Sequence, residues 1–365
     1  MNPAEKFIID SHCKNIDTKY EAFAKRIMAE QSPNVFSIIY ATDVHYIRKY
    51  ALFVAAYYKL KEMVEFSGKI GADLLAITGD LVDGNTTIDN QYRDLYDFIS
   101  LVKESKTTSV AVSKGNHDDC SWYAYLHKLD SSAWISEEQW YNHVINPIRV
   151  QYPIVLDPEN PVGGYYYIDY PFHKIRVINI NTNDMENRVN ADGIMDDKKY
   201  CGQWCLAVRE KQLKWLKKAL TFDEADWSVI FMSHDAPIHY LNKEKAFHNS
   251  DALMEIICAF KNKKKGHIKN TERFFETDME YDFSNNKSND VLPYLFGHCH
   301  EDMVIEKDGI YFVSSRNILN ASSAKWDDKE TEIKGGWDVV LIDKNKRTFK
   351  SRRFENPKYD REFDF

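Results

Sequence analysis

The sequence repeatedly places acidic, amide or imidazole side chains directly after a short apolar run. Five such runs occur, and the groups that follow them are, in chain order, Asp43-x-His45, Gly79-Asp80-x-x-Asp83, Gly115-Asn116-His117-Asp118, His234 and Gly297-His298-x-His300. Apolar runs of this length are typical of buried strands, and α/β proteins carry their functional groups at the carboxyl ends of strands. The pattern therefore predicts an α/β fold with a polar site along one edge of a sheet.

Helical patterns separate the first of these strands. One helix is predicted from about residue 50 to 66 and a second from about 89 to 104, each lying between two predicted strands. This alternation predicts a largely parallel sheet. After residue 300, apolar runs separated by short turns predict antiparallel strands at the end of the chain.

The composition pattern divides the chain into an extension and one large domain. Residues 1–34 are polar, with a helical pattern, and are predicted to be an N-terminal helical extension. Residues 35–365 are predicted to be a single domain with an aromatic-rich insertion at about 119–172 and a polar insertion at about 261–290. The aromatic insertion either caps a substrate or buries its own rings, and burial is favoured. The basic run Lys261–Lys269 is predicted to be a solvated loop.

Charge and cysteine usage narrow the class of protein. The chain has 48 Lys and Arg against 56 Asp and Glu, a net charge of −8, which argues against a surface devoted to nucleic acid. Its six cysteines lack the spacing of a disulfide framework or a thiolate zinc site. The sequence has neither an export signal at its start nor an apolar stretch that approaches a membrane span. We therefore expect a cytoplasmic protein with reduced thiols.

The strand-end groups form a potential metal-binding set. Residues two apart in an extended strand project to the same side, about 6–7 Å apart, so each His-x-His or Asp-x-His pair can converge on one site. Imidazole, carboxylate and amide donors without thiolate suit Mn, Fe or Zn. Seven donors are too many for one ion but fit two divalent ions if one carboxylate bridges them. The candidate ligands are Asp43, His45, Asp80, Asn116, His234, His298 and His300.

The ordered set of five blocks resembles the calcineurin-like metallophosphoesterase superfamily, which includes purple acid phosphatases and Ser/Thr protein phosphatases. The resemblance implies a four-layer α/β/β/α sandwich of two mixed sheets. It also implies two metal sites that share Asp80. The first would be held by Asp43, His45, Asp80 and His300, and the second by Asp80, Asn116, His234 and His298.

The same resemblance implies a catalytic role for His117. Similar proteins use this histidine to bind a phosphoryl oxygen or to protonate the leaving alkoxide, and Asp83 would orient and charge its ring. The alternative is that His117 and Asp83 only make a hydrogen-bonded turn. Asp118 is predicted to be a structural hydrogen-bond acceptor, and Cys299 to pack away from its two histidine neighbours.

The predicted function is hydrolysis of a phosphomonoester or phosphodiester of a small molecule or nucleotide. A hydroxide that bridges the two metal ions would attack phosphorus, and His117 would assist the leaving group. One alternative is a catalytically silent protein that binds metal and phosphate. A nuclease of the same superfamily is also open, although the acidic net charge ranks it lower.

Overall fold

Two large mixed sheets form the framework of the chain. The computed structural model describes residues 16–48, 51–240, 247–318 and 336–365. Its strands are β1 (Val35–Ala41), β2 (Leu74–Ile77), β3 (Ser109–Val112), β4 (Val155–Leu156), β5 (Tyr166–Tyr170), β6 (Ile175–Asn179), β7 (Ser228–Met232), β8 (Lys265–Asn270), β9 (Thr277–Asp282), β10 (Asp290–Val291), β11 (Tyr294–Phe296), β12 (Met303–Lys307), β13 (Ile310–Ser314), β14 (Asp338–Asp343), β15 (Thr348–Arg353) and β16 (Arg361–Asp364). The predicted α/β class with two mixed sheets is confirmed.

The helices lie mainly between these strands. They are α1 (Ile16–Glu30), α2 (Ala51–Ile70), α3 (Ile88–Val102), α4 (Ser121–His127), α5 (Glu137–Trp140), α6 (Asn146–Arg149), α7 (Glu210–Ala219) and α8 (Ser250–Lys261). The two helices predicted before and after β2 are confirmed, and α2 continues about one turn beyond its predicted end. Within the described residues, no helix has the length and apolar character needed to cross a membrane.

The first sheet combines parallel and antiparallel pairing, in the order β16-β15-β14-β1-β2-β3. Strands β1, β2 and β3, which helices separate in the chain, pair in parallel. Strand β14 lies antiparallel to β1 and continues through a short turn into β15, which residues 354–360 connect to the antiparallel β16. The C-terminal antiparallel strands are therefore confirmed, and they complete the sheet that β1 begins.

The second sheet has the order β12-β13-β11-β7-β6-β5-β4, with β10 beside β7. Its central strands β13, β11, β7 and β6 are parallel, whereas β12, β5 and β4 are antiparallel to their neighbours. The prediction of a largely parallel sheet is thus only partly right. Strands joined by short turns can pair only in the antiparallel sense, and both sheets contain such strands at their edges.

Strand β7 lies between two hydrophobic cores. Its side chains Ile230 and Met232 belong to the core that the first sheet and helices α1 to α3 share. Its alternate side chains Val229 and Phe231 belong to the core beneath α7 and α8. Because successive strand residues point to opposite faces, this division places helices outside each sheet and the two sheets face to face. The layers are therefore α, β, β and α.

Helix α1 is docked onto the first core by aromatic packing. The ring centroid of Phe23 lies 5.2 Å from that of Phe66 and 5.8 Å from that of Trp337. On its polar side, Arg26 pairs with Asp360. The helix predicted for this part of the extension is confirmed, whereas residues 1–15 lie outside the described residues. The division between extension and domain stays a prediction.

The aromatic-rich segment 119–172 buries five of its twelve Trp, Tyr and Phe rings, and the other seven are partly or largely exposed. Trp140 and Tyr152 are 1% and 6% exposed, and both belong to the core of the first sheet. One ring instead reaches a candidate site residue, because Trp122 in α4 packs edge-on against the imidazole of His117, with 5.2 Å between ring centroids. The segment therefore contributes some of its rings to the core, and Trp122 supports the position of His117.

The basic run 261–269 is not the solvated loop that its composition predicts. Lys261 ends α8, and Lys265–Asn270 forms β8, which pairs with β9 in a two-stranded hairpin. Ile268 is the buried residue of β8 and joins the second core, while Lys265 and Lys269 are exposed. The prediction was wrong because one apolar residue among lysines gives too weak an alternation to indicate a strand.

A buried ion network attaches the segment after His300 to the first sheet. The guanidinium of Arg353 donates to Asp302 at 2.7 Å and to Asp338 at 3.1 Å, and Arg361 also donates to Asp338, at 2.9 Å. Burial alone would raise the pKa of Asp338, but the charges of Arg353 and Arg361 lower it to about 2. Since Asp302 is two residues beyond His300, this network helps to position a candidate ligand.

We predict that Arg353→Ala lowers the free energy of unfolding by about 3–5 kcal/mol, because the substitution leaves Asp338 buried without its main counter-charge. Urea unfolding followed by circular dichroism at pH 7 measures the change. The matched control is Arg149→Ala at an exposed site, which should change the free energy of unfolding by less than about 0.5 kcal/mol. A loss below about 1 kcal/mol for Arg353→Ala would contradict the assigned role of the network.

Candidate metal centre

The structure brings together all seven residues that the sequence predicts as ligands. They follow the carboxyl ends of β1, β2, β3, β7 and β11, which belong to both sheets and meet at one edge of the sandwich. Six of the seven are at most 8% exposed, and His298 is partly exposed. The ligands form two groups around Asp80: Asp43, His45 and His300 on one side, and Asn116, His234 and His298 on the other.

In the first group, one ligand atom from each of Asp43, His45, Asp80 and His300 lies within 4.8 Å of the others. The Nε2 atoms of His45 and His300 are 3.1 Å apart, and His300 Nε2 is 3.2 Å from Asp43 Oδ1. His45 Nε2 is 3.5 Å from Asp80 Oδ2. Ligands that bind one metal at about 2.0–2.2 Å are themselves separated by about 3.0–3.5 Å. These four side chains therefore fit one divalent ion.

The second group uses the same oxygen of Asp80. His234 Nε2 lies 3.4 Å from Asp80 Oδ2 and 2.9 Å from Asn116 Oδ1. His298 Nδ1 lies 3.0 Å from Asn116 Oδ1 and 3.1 Å from His234 Nε2. These separations also match the spacing of ligands around one ion. Asp80 Oδ2 thus neighbours both groups, as a bridging carboxylate oxygen would.

The donor set fits a divalent transition metal. Asn116 Oδ1 can only accept hydrogen bonds, and it lies about 3 Å from His234 Nε2 and His298 Nδ1. The lone pairs of atoms at this distance repel one another unless a proton or a cation lies between them. Oxygen and imidazole donors of this kind suit Mn, Fe and Zn. Cys299 takes no part, because its Sγ lies 3.1 Å from Ser314 Oγ and its side chain packs in the second core, as predicted.

The two members of each Asp-x-His or His-x-His pair converge because of a left-handed backbone, not an extended one. Asp43, His45, Asp80, His298 and His300 have φ angles of 51°, 49°, 48°, 67° and 56°. Non-glycine residues adopt this region infrequently, and such residues cluster at functional sites. These side chains converge as expected, but the expected reason, that they project to the same side of an extended strand, was wrong. The chain coils after each strand ends and turns both side chains inward.

Gly115 acts by its small size, and its φ is not in the left-handed region that a glycine turn would need. A Cβ atom at this position would lie 2.1 Å from Asp80 Oδ1. The main-chain NH of Gly115 donates to Asp118 Oδ2 at 2.7 Å, and that of Val82 donates to Asp118 Oδ1 at 3.1 Å. Asp118 therefore has the structural role predicted for it, and Gly115 allows the loop after β3 to approach Asp80.

Asp80 and His234 form a buried, charged pair. Burial raises the pKa of Asp80, but the charges of His234 and His117 outweigh this effect and hold its pKa well below the ordinary value. Burial lowers the pKa of His234, but the Asp80 carboxylate outweighs it and raises that pKa to about 10. The Nδ1 of His234 lies 2.9 Å from the carbonyl of Thr78 and donates to it, which leaves Nε2 directed at the site.

The two histidines of the first group, His45 and His300, have pKa shifts of opposite direction. Burial and then the charge of His117 lower the pKa of His45 well below its ordinary value, so its imidazole is neutral and able to bind a metal. Burial also lowers the pKa of His300, but the neighbouring Asp43 carboxylate outweighs burial and raises it.

His117 lies beside the ligands and faces a cleft. Its main-chain NH donates to Asp80 Oδ1 at 2.9 Å, and its ring Nε2 is 3.9 Å from Asp80 Oδ2. Its Nδ1 donates to the main-chain carbonyl of Asp83 at 2.6 Å, so the carbonyl and not the expected carboxylate makes this contact. Burial raises the pKa of the Asp83 carboxyl, which remains near the imidazoles of His117 and His45.

Sequence reasoning missed Gln203. Its side-chain Nε2 lies 3.1 Å from His117 Nε2, its Oε1 is buried without a hydrogen-bond partner, and its main-chain carbonyl accepts from Asn116 Nδ2 at 3.2 Å. The residue belongs to a long polar segment between β6 and α7 that has no periodic pattern. No local signal in the sequence indicates that this segment returns to the strand ends.

Comparisons with known proteins show what the chain is similar to. A sequence model of the calcineurin-like phosphoesterase family matches residues 36–302, and no curated protein sequence matches the chain. A dimetal phosphatase from Danio rerio has a similar structure, with a TM-score of 0.60 and 14% sequence identity over 90% of this chain and 99% of that chain. A purple acid phosphatase from yellow lupin seeds gives a TM-score of 0.49 and 12% identity over 90% of this chain and 53% of that chain.

We predict that metal binding releases protons. Because the pKa of His234 is raised to about 10, a metal ion must displace a proton from this imidazole at any pH below that value. The apparent affinity for Zn²⁺ should rise about tenfold per pH unit for each proton displaced, and level off above about pH 10. Calorimetry at pH 7.5 in two buffers of different ionisation enthalpy counts the protons.

The number of protons released when Zn²⁺ binds should fall by about one in His234→Asn. His267→Asn, which removes a surface histidine paired with Asp278, should leave it unchanged. Zinc binding without any net proton release would contradict the charged state assigned to His234.

We also predict that Gly115→Ala weakens Mn²⁺ binding by at least about tenfold, because the added methyl group displaces the Asp80 carboxylate. The control is Gly68→Ala in α2, where a Cβ would meet only Lys106 Cγ at 3.6 Å. This control should bind Mn²⁺ normally and should unfold at the same or a slightly higher temperature. Calorimetric titration measures binding, and equal affinities for the two variants would exclude the proposed steric role.

Proposed function

Because the chain belongs to the calcineurin-like phosphoesterase family, we propose that it hydrolyses a phosphoester with two divalent metal ions held around Asp80. The observation that carries the proposal is the pair of donor groups that share one oxygen, Asp80 Oδ2. Each group gathers side-chain oxygen and imidazole nitrogen atoms at the spacing of ligands around one ion. A site of this kind is suited to phosphoryl chemistry, in which charge on several oxygens must be stabilised.

In this proposal, Asp43, His45, Asp80 and His300 hold one ion, and Asp80, Asn116, His234 and His298 hold the other. Mn, Fe or Zn ions bound there would neutralise phosphoryl charge and promote the ionisation of water near neutral pH. The chain supplies only two carboxylates among the seven ligands. The occupied site therefore keeps a net positive charge, which favours an anionic substrate.

His117 is proposed to assist the leaving group. The carbonyl of Asp83 holds its Nδ1–H, so Nε2 is the ring nitrogen that faces the ligands and the cleft. A proton on this nitrogen can pass to the departing oxygen of the substrate. Gln203 can hold the ring in either protonation state, because its amide donates to a bare Nε2 and, after rotation, accepts from a protonated one through Oε1.

The central test is metal-dependent turnover. Protein stripped with a chelator should lack activity on an aryl phosphomonoester and an aryl phosphodiester, and added Mn²⁺, Fe²⁺ or Zn²⁺ should restore it on at least one of them. Asp80→Asn should abolish this recovery, since it removes the carboxylate that both groups share, whereas His267→Ala should retain it. Failure of every metal to restore turnover would overturn the proposed function and favour a protein that only binds metal and phosphate.

The role of His117 predicts a dependence on the leaving group. His117→Ala should lower kcat about 10²–10⁴-fold for an alkyl phosphoester, whose departing alkoxide needs a proton. The loss should be much smaller for a nitrophenyl ester, because nitrophenolate departs without protonation. Gln203→Ala should also lower kcat on both esters, but by a smaller factor than His117→Ala does. Equal losses on the alkyl and nitrophenyl esters would contradict proton donation by His117.

A further inference from the structure

A cleft of 1020 Å³ opens beside the candidate metal centre. Asp80, His117 and His298 line it together with side chains from the segments 198–206 and 272–275. Pockets that bind organic ligands have volumes of roughly 300–1,000 Å³. A phosphoryl group alone would fill only the end near Asp80, so the remaining volume is available for the organic part of a substrate.

The lining of the cleft includes an aromatic wall formed by Tyr200, Trp204 and Phe274. Trp204 is 41% exposed there, and Tyr200 and Phe274 pack against each other beside it, with 5.7 Å between ring centroids. An indole that is exposed in water gives up the stabilisation that burial would provide, and exposed aromatic rings in a cleft are typical of ligand sites. The wall is thus suited to stacking against a planar ring.

Three cations surround this wall. The Nζ atom of Lys198 lies 4.6 Å from the Trp204 ring centroid, and the guanidinium of Arg273 lies 4.6 Å from that of Phe274. Lys199 lines the same cleft, and within the described ranges none of the three forms an ion pair with a carboxylate. Glu272 also lines the cleft, but it pairs with His248 at 3.0 Å. The wall therefore carries positive charge that is available to an anion.

We infer that this cleft binds the organic part of the substrate, and that this part is a planar heteroaromatic group joined to a second anionic group, as in a nucleoside diphosphate. The aromatic wall accounts for the ring, and the three cations account for the second negative charge. The inference rests on the proposed function for its reacting phosphoryl group. It excludes phosphate esters that lack a ring as preferred substrates.

Binding to the chelator-stripped, full-length chain tests the cleft without turnover. Calorimetry at low salt should show that ADP binds at least about tenfold more tightly than adenosine, which lacks the charges, or pyrophosphate, which lacks the ring. Thermal unfolding checks that the stripped chain remains folded. An affinity for pyrophosphate or for ribose 5-phosphate that equals the affinity for ADP would overturn the aromatic part of the inference.

Variants separate the two kinds of contact. Trp204→Ala should weaken ADP binding about tenfold but change pyrophosphate binding less than about twofold. Lys199→Glu and Arg273→Glu should weaken both and reduce the salt dependence of binding. The controls are Phe172→Ala, which removes a ring that is 80% exposed elsewhere, and Lys211→Glu on the exposed face of α7. If Trp204→Ala affects ADP no more than Phe172→Ala does, the assigned site is wrong.

The two proposals fail in different ways. Metal-dependent turnover of aryl esters without preferential ADP binding would leave the phosphoesterase proposal intact and overturn the inference about the cleft. Preferential ADP binding that Trp204→Ala removes, without turnover under any metal, would support the cleft and overturn the proposed function. Tighter binding of a phosphoserine peptide than of ADP would also overturn the inference, in favour of a protein substrate.

Discussion

The Asp80 carboxylate is the interaction around which the site is built. It accepts a hydrogen bond from the main chain of His117 and faces the imidazoles of His45 and His234. Burying a carboxylate without partners costs several kcal/mol, so the charge at this position requires donors from other strands. Asp80 follows β2 of the first sheet, whereas His234 follows β7 of the second sheet. The stability of this one charged group therefore depends on residues from both sheets.

The positions of the candidate ligands could be predicted because they depend on local patterns. A buried strand is recognisable from its apolar run, and strands that pair in parallel bring their carboxyl ends to one edge. The left-handed backbone of Asp43 or His300 could not be read from the same pattern. In the loop after β1 that conformation accompanies main-chain hydrogen bonds from Asp43 to Gly79 and from His45 to Asp80, which join residues far apart in the sequence.

The surroundings of the site were less predictable than the site itself. Gln203 and Trp204 belong to a segment without periodicity, and only the folded chain shows that they reach His117 and the cleft. Hairpin β8–β9 was missed because Ile268 is a single apolar residue among lysines. In each case the position of a residue follows from packing against distant elements. Sequence patterns record which face of an element is buried, but not which loop lies beside which.

The contact between His117 and the carbonyl of Asp83 limits how the imidazole can respond to its surroundings. A main-chain carbonyl does not ionise, and it can only accept a hydrogen bond. The neutral ring of His117 therefore carries its hydrogen on Nδ1, and Nε2 is the nitrogen that lies next to Gln203. The orientation of the ring therefore rests on the backbone at position 83 and not on the side chain there.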